Sequence, residues 1–450
     1  MPHPVRLVPL LLALLAAAPA ARPAAAAALV DSTTQSAWRL ANGLEVRLRE
    51  TPGVGGVAIT VGYRAGWAGD PPARPGLAEL LAEVDYTAAA GDVPERSRRE
   101  MDSLRPLGWG VSANARFALL TEVASREQFP GALHQVAARM RGVSVTDAGV
   151  RAALATLRAD MGTRYFGDPA QALYWRAAAL AAGRSDEEIV RDASLRALDG
   201  LGAKDVQEGI ARLYVPANAV LAIAGDVSGV DVRALVEHEF GGIAGGGAQA
   251  VPDTLPFHAQ RRRMEWPGLA QPLGVLAVRS PSLADSLHPA FYLGLLVTAS
   301  ALQQAWGAPT APLTSRFQYA LFDEPDLIRF YPRAAGTQGD PERLADALFE
   351  QLDVVARENI TMQVLNALRA QVDWLLGGPL PPDVRARLRR DPGGLGTLTT
   401  CMATRALGRG DAFWDDYRRR FERTPYGPST FYGWLTDPAE QVALQLVPRP

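Results

Sequence analysis

Gly76-Leu77-Ala78-Glu79-Leu80-Leu81-Ala82-Glu83 is the stretch from which the rest of the chain can be read. It follows an apolar run, Val57-Ala58-Ile59-Thr60-Val61-Gly62-Tyr63, that reads as a strand, and it opens a helix. Leu77, Leu80, Leu81, Val84 and Ala88 fall on one stripe at helical spacing, the side expected to meet a core. At about 100° per residue, Glu79 and Glu83 lie roughly 200° and 240° round from Leu77. The plain reading is a solvated acidic face on which two carboxylates repel weakly.

Working outward, Trp38-Arg39-Leu40-Ala41 and Leu44-Glu45-Val46-Arg47-Leu48 alternate about Asn42-Gly43, which signals a hairpin closed by a two-residue turn. Downstream, residues 96–107 read as a helix, 116–123 as a strand, and 131–140, 147–163 and 168–182 as helices. A strand at 219–224 and a helix at 231–239 close this half. Gly241-Gly242-Ile243-Ala244-Gly245-Gly246-Gly247, with Pro252 and Pro256, is the clearest linker. Beyond it the order recurs: strand 273–278, helix 290–303, strand 327–331, helix 344–355 and strand 441–446. Hairpins mixed with helices predict an α+β fold of two similar layered domains rather than a doubly wound parallel sheet. The expected division is a signal peptide at 1–28, a first domain at 36–243 holding the acidic helix at 75–89, a linker at 244–258 and a second domain at 259–450.

The chain has 450 residues, 48% hydrophobic and 21% charged, an ordinary globular composition too long for one typical core. A net charge of −2 and no basic stripe argue against nucleic acid as a partner. Arg261-Arg262-Arg263, the densest basic run, reads as a solvated strand edge rather than a partner site. Arg6, an apolar run from Leu7 to Ala18 and Ala-x-Ala options around Ala25 form a signal peptide, too short to span a bilayer at about 20 residues. Export follows, to a periplasm or beyond, with no transmembrane helix once the signal is removed. Cys401 is the single cysteine, which excludes an internal disulfide and reads as a buried small hydrophobe. His134, His238, His258 and His288 form no i+3 or i+4 pair, and the Gly-rich loops lack phosphate-binding spacing. Asn359-Ile360-Thr361 matches a glycosylation sequon as readily by chance as by design.

Several pieces, in order, resemble the pitrilysin and insulinase family of inverted-motif (His-x-x-Glu-His) zinc peptidases, the mitochondrial processing peptidase type. They are the Asn42-Gly43-Leu44 hairpin, Tyr63-Arg64-Ala65-Gly66, Leu107-Gly108 with Asn114-Ala115, and Tyr214-Val215-Pro216-Ala217-Asn218-Ala219 with Gly225-Asp226-Val227. The acidic helix itself resembles the family's Gly-Leu-Ala-His-Leu-Leu-Glu-His. On that resemblance Glu79 stands at the first histidine ligand, Ala82 at the general base and Glu83 at the second histidine. Asp160 is the best candidate for the later acidic ligand. The family's substrate-holding arginine and tyrosine fall on Phe322 and Arg329.

The resemblance implies two such domains per half-shell and two halves, in one chain or two, around a peptide chamber. Zinc is expected for the family, but its ligands are not retained, so no cofactor is expected here. Zinc favours imidazole and thiolate, three carboxylates suit Ca²⁺ or Mg²⁺ better, and the methyl group of Ala82 cannot take a proton. The expectation is therefore a non-catalytic homologue, a partner subunit of an active zinc-bearing family member or of itself as a dimer. The alternatives are an active metallopeptidase built on Glu79, Glu83 and Asp160, and a structural or binding protein of the cell envelope.

Overall fold

Two β-sheets backed by helices carry the chain in a computed structural model that describes residues 34–250, 255–306, 317–318, 327–332, 340–356, 360–425 and 427–449. The expected signal segment, Phe322 and Asn359 lie outside the described residues. In the first half the elements run β1 (Thr34–Arg39), β2 (Glu45–Glu50), β3 (Gly56–Tyr63), α1 (Leu77–Thr87), α2 (Arg98–Leu104), β4 (Trp109–Ala113) and β5 (Ala118–Ser125). There follow α3 (Phe129–Arg141), α4 (Asp147–Gly162), α5 (Pro169–Ala181), α6 (Asp186–Ala193), α7 (Ala203–Leu213), β6 (Ala219–Gly225) and α8 (Val232–Phe240). The second half begins with β7 (Gln260–Trp266), β8 (Leu273–Arg279), α9 (His288–Trp306), β9 (Phe317–Gln318), β10 (Leu327–Phe330) and α10 (Arg343–Ala356). It ends with α11 (Met362–Asp373), α12 (Pro382–Arg390), α13 (Gly394–Gly408), α14 (Asp411–Arg423), α15 (Pro428–Leu435) and β11 (Gln441–Pro448).

The strand order is β1-β2-β6-β3-β5-β4 in the first sheet and β7-β11-β8-β10-β9 in the second. In each, a parallel pair (β2 with β6, β7 with β11) adjoins antiparallel neighbours in the same sequence, so the sheets are topological copies. The copy is incomplete on one side: β1 covers the outer edge of β2, and β7 has no such neighbour among the described residues.

Three details differ from expectation. The hairpin closes over three residues, not two: Leu40 donates to the Leu44 carbonyl at 2.9 Å and Gly43 to that of Leu40 at 3.0 Å. Gly43, at φ +92°, supplies the left-handed step that follows such a turn. The helix expected at 96–107 runs only from Arg98 to Leu104, because Pro106 biases Arg105 out of the helical region (φ −123°, ψ 64°). Helices α6, α7 and α11 to α15 were not foreseen.

The two halves exchange a helix. α13, from the second half, lies across β3, β5 and β6, while α5, from the first, lies across β7, β8 and β11. Side-chain size dictates the first contact. On β3, Val57, Ile59, Val61 and Tyr63 face the large core that includes α1 and α3, whereas Ala58, Thr60 and Gly62 face α13. A Cβ on Gly62 would stand 2.6 Å from Leu407 of α13. Thr60 donates to the hydroxyl of Thr399 at 2.7 Å, so a polar pair in this layer is satisfied across the halves. Cys401 is buried in the same helix.

Candidate functional site

Strand β3 delivers the chain to α1 through a tight start. The Asp70 carboxylate accepts from the backbone of Gly76 at 2.9 Å and Ala78 at 2.8 Å, orphan donors of the first turn. Gly76, at φ +88°, takes a conformation that disfavours any other residue, and a Cβ there would lie 2.6 Å from Leu195. α1 then runs between β4 and β5 on one side and α4 and α7 on the others. Gly209 of α7 makes one of these approaches possible, since a Cβ there would lie 2.9 Å from Leu81.

This surround overturns the solvated acidic face. Glu83 exposes only 3% of its side chain and Glu79 only 13%. Helical spacing says which way a side chain points, and the face opposite the apolar stripe is covered by α4 and its continuation. Asp160 of α4 is also buried. The three carboxylates lie on helices that meet, and the groups that hold them were not anticipated from sequence.

The Arg98 guanidinium lies between two of them. Its Nε donates to Glu83 Oε1 at 2.7 Å, its Nη2 to Glu83 Oε2 at 2.6 Å and its Nη1 to Asp160 Oδ2 at 2.7 Å. This is bidentate recognition of one carboxylate with a third bond to another. Burial by itself lowers the Arg98 pKa, but Glu83 and Asp160 outweigh it and hold the guanidinium above its ordinary value. Glu79 has its own partner: Arg164 Nη1 donates to Oε1 at 3.0 Å while stacking over Trp175 at 4.7 Å from the ring centre. Arg164 sits in a wide π-type turn, Thr163–Gly167, that continues α4 and ends where Asp168 caps α5. Glu79 Oε2 is buried without a hydrogen-bond partner among the described residues. Burial pushes the Glu79 pKa up, Arg164 and Arg98 pull it down, and Asp160 adds to the rise.

Three carboxylates therefore face two guanidiniums, and a divalent ion would have to displace Arg98. Among the described residues no group of three or more His, Cys, Asp or Glu is arranged to hold a metal. The donor set does not fit zinc: it contains no imidazole or thiolate, and Arg98 already binds both oxygens of Glu83. Ala82, which the resemblance aligns with the general base, is fully buried within the core. Arg329 lies elsewhere, its guanidinium 3.9 Å from the Tyr174 ring centre in the contact between α5 and the second sheet. Among the described residues, His288 is buried against the Tyr417 hydroxyl at 2.7 Å, His134 bonds Asp92 at 3.1 Å and Glu239 at 3.0 Å, and His238 is exposed at the end of α8.

The sequence around Arg98 carries a signal for its position. Ser97-Arg98-Arg99-Glu100 is a capping box, with the Ser97 backbone donating to Glu100 Oε2 at 2.7 Å, and it puts Arg98 in the first turn. A cation there opposes the helix dipole and calls for an anionic partner. Asn218 belongs to the Tyr214-Val215-Pro216-Ala217-Asn218-Ala219 stretch. Buried, it donates to the Leu213 carbonyl at 2.7 Å and accepts from Gln249 at 2.8 Å, a structural staple.

Beneath the trio lies a second polar group. Glu122 of β5 accepts from Arg105 Nε at 2.6 Å and from Arg139, all three buried. Beside it Asp85 lines a cavity of about 10 Å³, room for one water, with Tyr63, Glu122 and Arg139. Both Asp85 oxygens lack hydrogen-bond partners among the described residues. Burial pushes its pKa up to about 7, with Arg139 alone pulling it down. An unfolded aspartate titrates near ~3.9, so the folded state binds the proton more tightly. Stability is then full below about pH 4, falls as pH rises toward about 7, and levels off above it. Asp85→Asn should match the wild type near pH 4 and exceed it at pH 8 by about 2–4 kcal/mol, read from urea unfolding at both pH values.

Comparison places this geometry among known folds. The family model described as the peptidase M16 inactive domain matches residues 200–306. No curated protein matches the sequence. A protease from Helicobacter pylori is similar in structure at TM-score 0.68 and 15% identity, covering 92% of this chain and 100% of that one. The peptidase M16 inactive domain from Pseudomonas fluorescens is similar at TM-score 0.64 and 17% identity, covering 93% and 98%. The periplasmic protease PqqL from Escherichia coli is similar at TM-score 0.62 and 13% identity, covering 94% of this chain but 48% of that one. This chain thus spans about half the length of that last protein.

Proposed function

We propose, from the premise that the chain is a pitrilysin/insulinase-type (M16) peptidase homologue with a degenerate zinc motif, that it is a non-catalytic subunit partnering a zinc-bearing relative. The observation that carries this reading is the Arg98 guanidinium bound to Glu83 and Asp160. A cation is already supplied there by the chain itself, and it neither ionises water nor polarises a carbonyl as zinc does. Ala82, aligned to the family's general base, carries no group that accepts a proton. The intact fold around this site supports a role in closing or stabilising a peptide-binding chamber. A second copy of this chain is the alternative partner.

An exported location, periplasmic or secreted, belongs to the same proposal. It is supported by the amino-terminal signal pattern and by the likeness to a periplasmic protease. Among the described residues no helix is long and apolar enough to cross a membrane.

The test is direct. The purified chain, supplied with zinc, is expected to hold less than a stoichiometric amount and to leave an unstructured peptide uncut over hours. Mixed with a zinc-bearing relative from the same cell, it is expected to co-elute. Stoichiometric zinc together with cleavage that disappears in Glu83→Ala would replace this reading with an atypical carboxylate metallopeptidase. Capture of an unrelated envelope protein alone would favour a structural role.

A further inference from the structure

The basic run singled out in the sequence lies on β7, the outermost strand of the second sheet. Its inner flank pairs in parallel with β11 from Gln260 to Trp266. Its outer flank has no strand beside it among the described residues, although the corresponding flank of β2 in the first sheet is covered by β1 over six residue pairs. Among the described residues the second sheet is therefore one strand short at this edge. Exposed edges of this kind invite an added strand unless something opposes it.

The three arginines are not equivalent. Arg261 is engaged, its Nε 3.2 Å from Glu342 and its Nη2 2.9 Å from Gln441 Oε1. Arg262 and Arg263 are exposed and make no hydrogen bond or ion pair among the described residues. Glu265, two residues on, makes no ion pair with Arg263. Because successive strand residues point to opposite faces, these two guanidiniums stand on opposite faces of one edge position. Met264 and Trp266 share the face of Arg262, which is the face packed by α5. Glu342, just ahead of α10, marks the face of Arg263.

We propose that the β7 edge is a docking site for an extended acidic segment of another protein, added as a sixth strand. Two free positive charges on neighbouring residues ask for two adjacent acidic residues in the incoming strand, one per face. Opposite charges directly across a strand pair are favourable, and the new backbone hydrogen bonds supply sequence-independent affinity. A second copy of this chain is disfavoured as occupant, since pairing β7 with itself antiparallel about its centre sets the exposed Arg263 against Arg263 of the other copy. This site is separate from the carboxylate trio and does not depend on the partner-subunit reading.

The test uses the whole chain and a capped hexapeptide probe in which a Glu-Glu pair is flanked by valine and threonine. Fluorescence anisotropy should show saturable binding that weakens as salt rises. Arg262→Glu combined with Arg263→Glu should weaken it about tenfold or more, with the thermal melt unchanged because both side chains are exposed. A probe N-methylated at alternate amides should also lose binding, which separates strand addition from simple charge attraction. No binding of the acidic probe, equal binding by the charge-reversed variant, or full binding of the N-methylated probe would each overturn the proposal.

Discussion

Arg98→Ala is expected to lower stability at pH 7.5 by about 3–5 kcal/mol, the usual loss when one member of a buried ion group is removed. The reason is what remains. Glu83 and Asp160 stay buried between α1 and α4, with the three hydrogen bonds from Arg98 gone. Two relief routes follow, and each has a measurement. Protonation relieves the repulsion, so the loss should shrink toward pH 5. A hard divalent ion relieves it too, so millimolar Ca²⁺ or Mn²⁺ should restore part of the variant's stability and do nothing for the wild type. Urea unfolding with and without the ion, at two pH values, checks all of this. Arg98→Lys should fall between, keeping the charge but losing the two-pronged grip on Glu83. A variant as stable as the wild type, or indifferent to both pH and ion, would remove the guanidinium from the centre of the account.

Glu122→Gln should be of similar size, about 3–5 kcal/mol, and opposite in sign of charge. It strands Arg105 and Arg139, both buried, around a neutral amide. Arg139 also sits over the Tyr86 ring at 4.9 Å from its centre and near Asp85, so Asp85 becomes its remaining anionic neighbour. The Asp85 carboxyl should then ionise at lower pH than in the wild type, visible as a shifted pH dependence of unfolding. Replacing Glu122, Arg105 and Arg139 together by leucine or methionine should cost far less than the single change, since no unpaired charge is left behind. A single variant costing under about 1 kcal/mol would contradict the burial of this group.

Much of this architecture was readable from residue order. The apolar run at β3, the element order repeated on either side of the glycine-rich stretch at 241–247 and the one-turn spacing of Glu79 and Glu83 all express patterns that survive folding. What was hidden depends on partners far away in sequence. Val57-Ala58-Ile59-Thr60-Val61-Gly62-Tyr63 reads simply as apolar, yet its strict large-small alternation records a helix nearly 340 residues away pressed on the small side. The family resemblance singled out the acidic trio, but its ionic partners were hidden, because the neutralising arginines come from α2 and from a π-type turn that no periodicity announces. Arg329 shows the converse: aligned to a substrate-holding position, it is spent on Tyr174 in the packing between halves.

The exchanged helices carry one more implication. Each sheet is finished by a segment belonging to the other half: α13 brings Ala403 and Leu407 to Val220 and Ala222, and α5 brings Leu173 and Ala177 to Val275 and Leu444. A cut in the glycine-rich connection would yield two fragments, each with one bare apolar sheet and one orphaned amphipathic rod. Neither should persist in solution by itself, but the two produced together should reassemble, and a lesion in one fragment should be felt as melting of its counterpart.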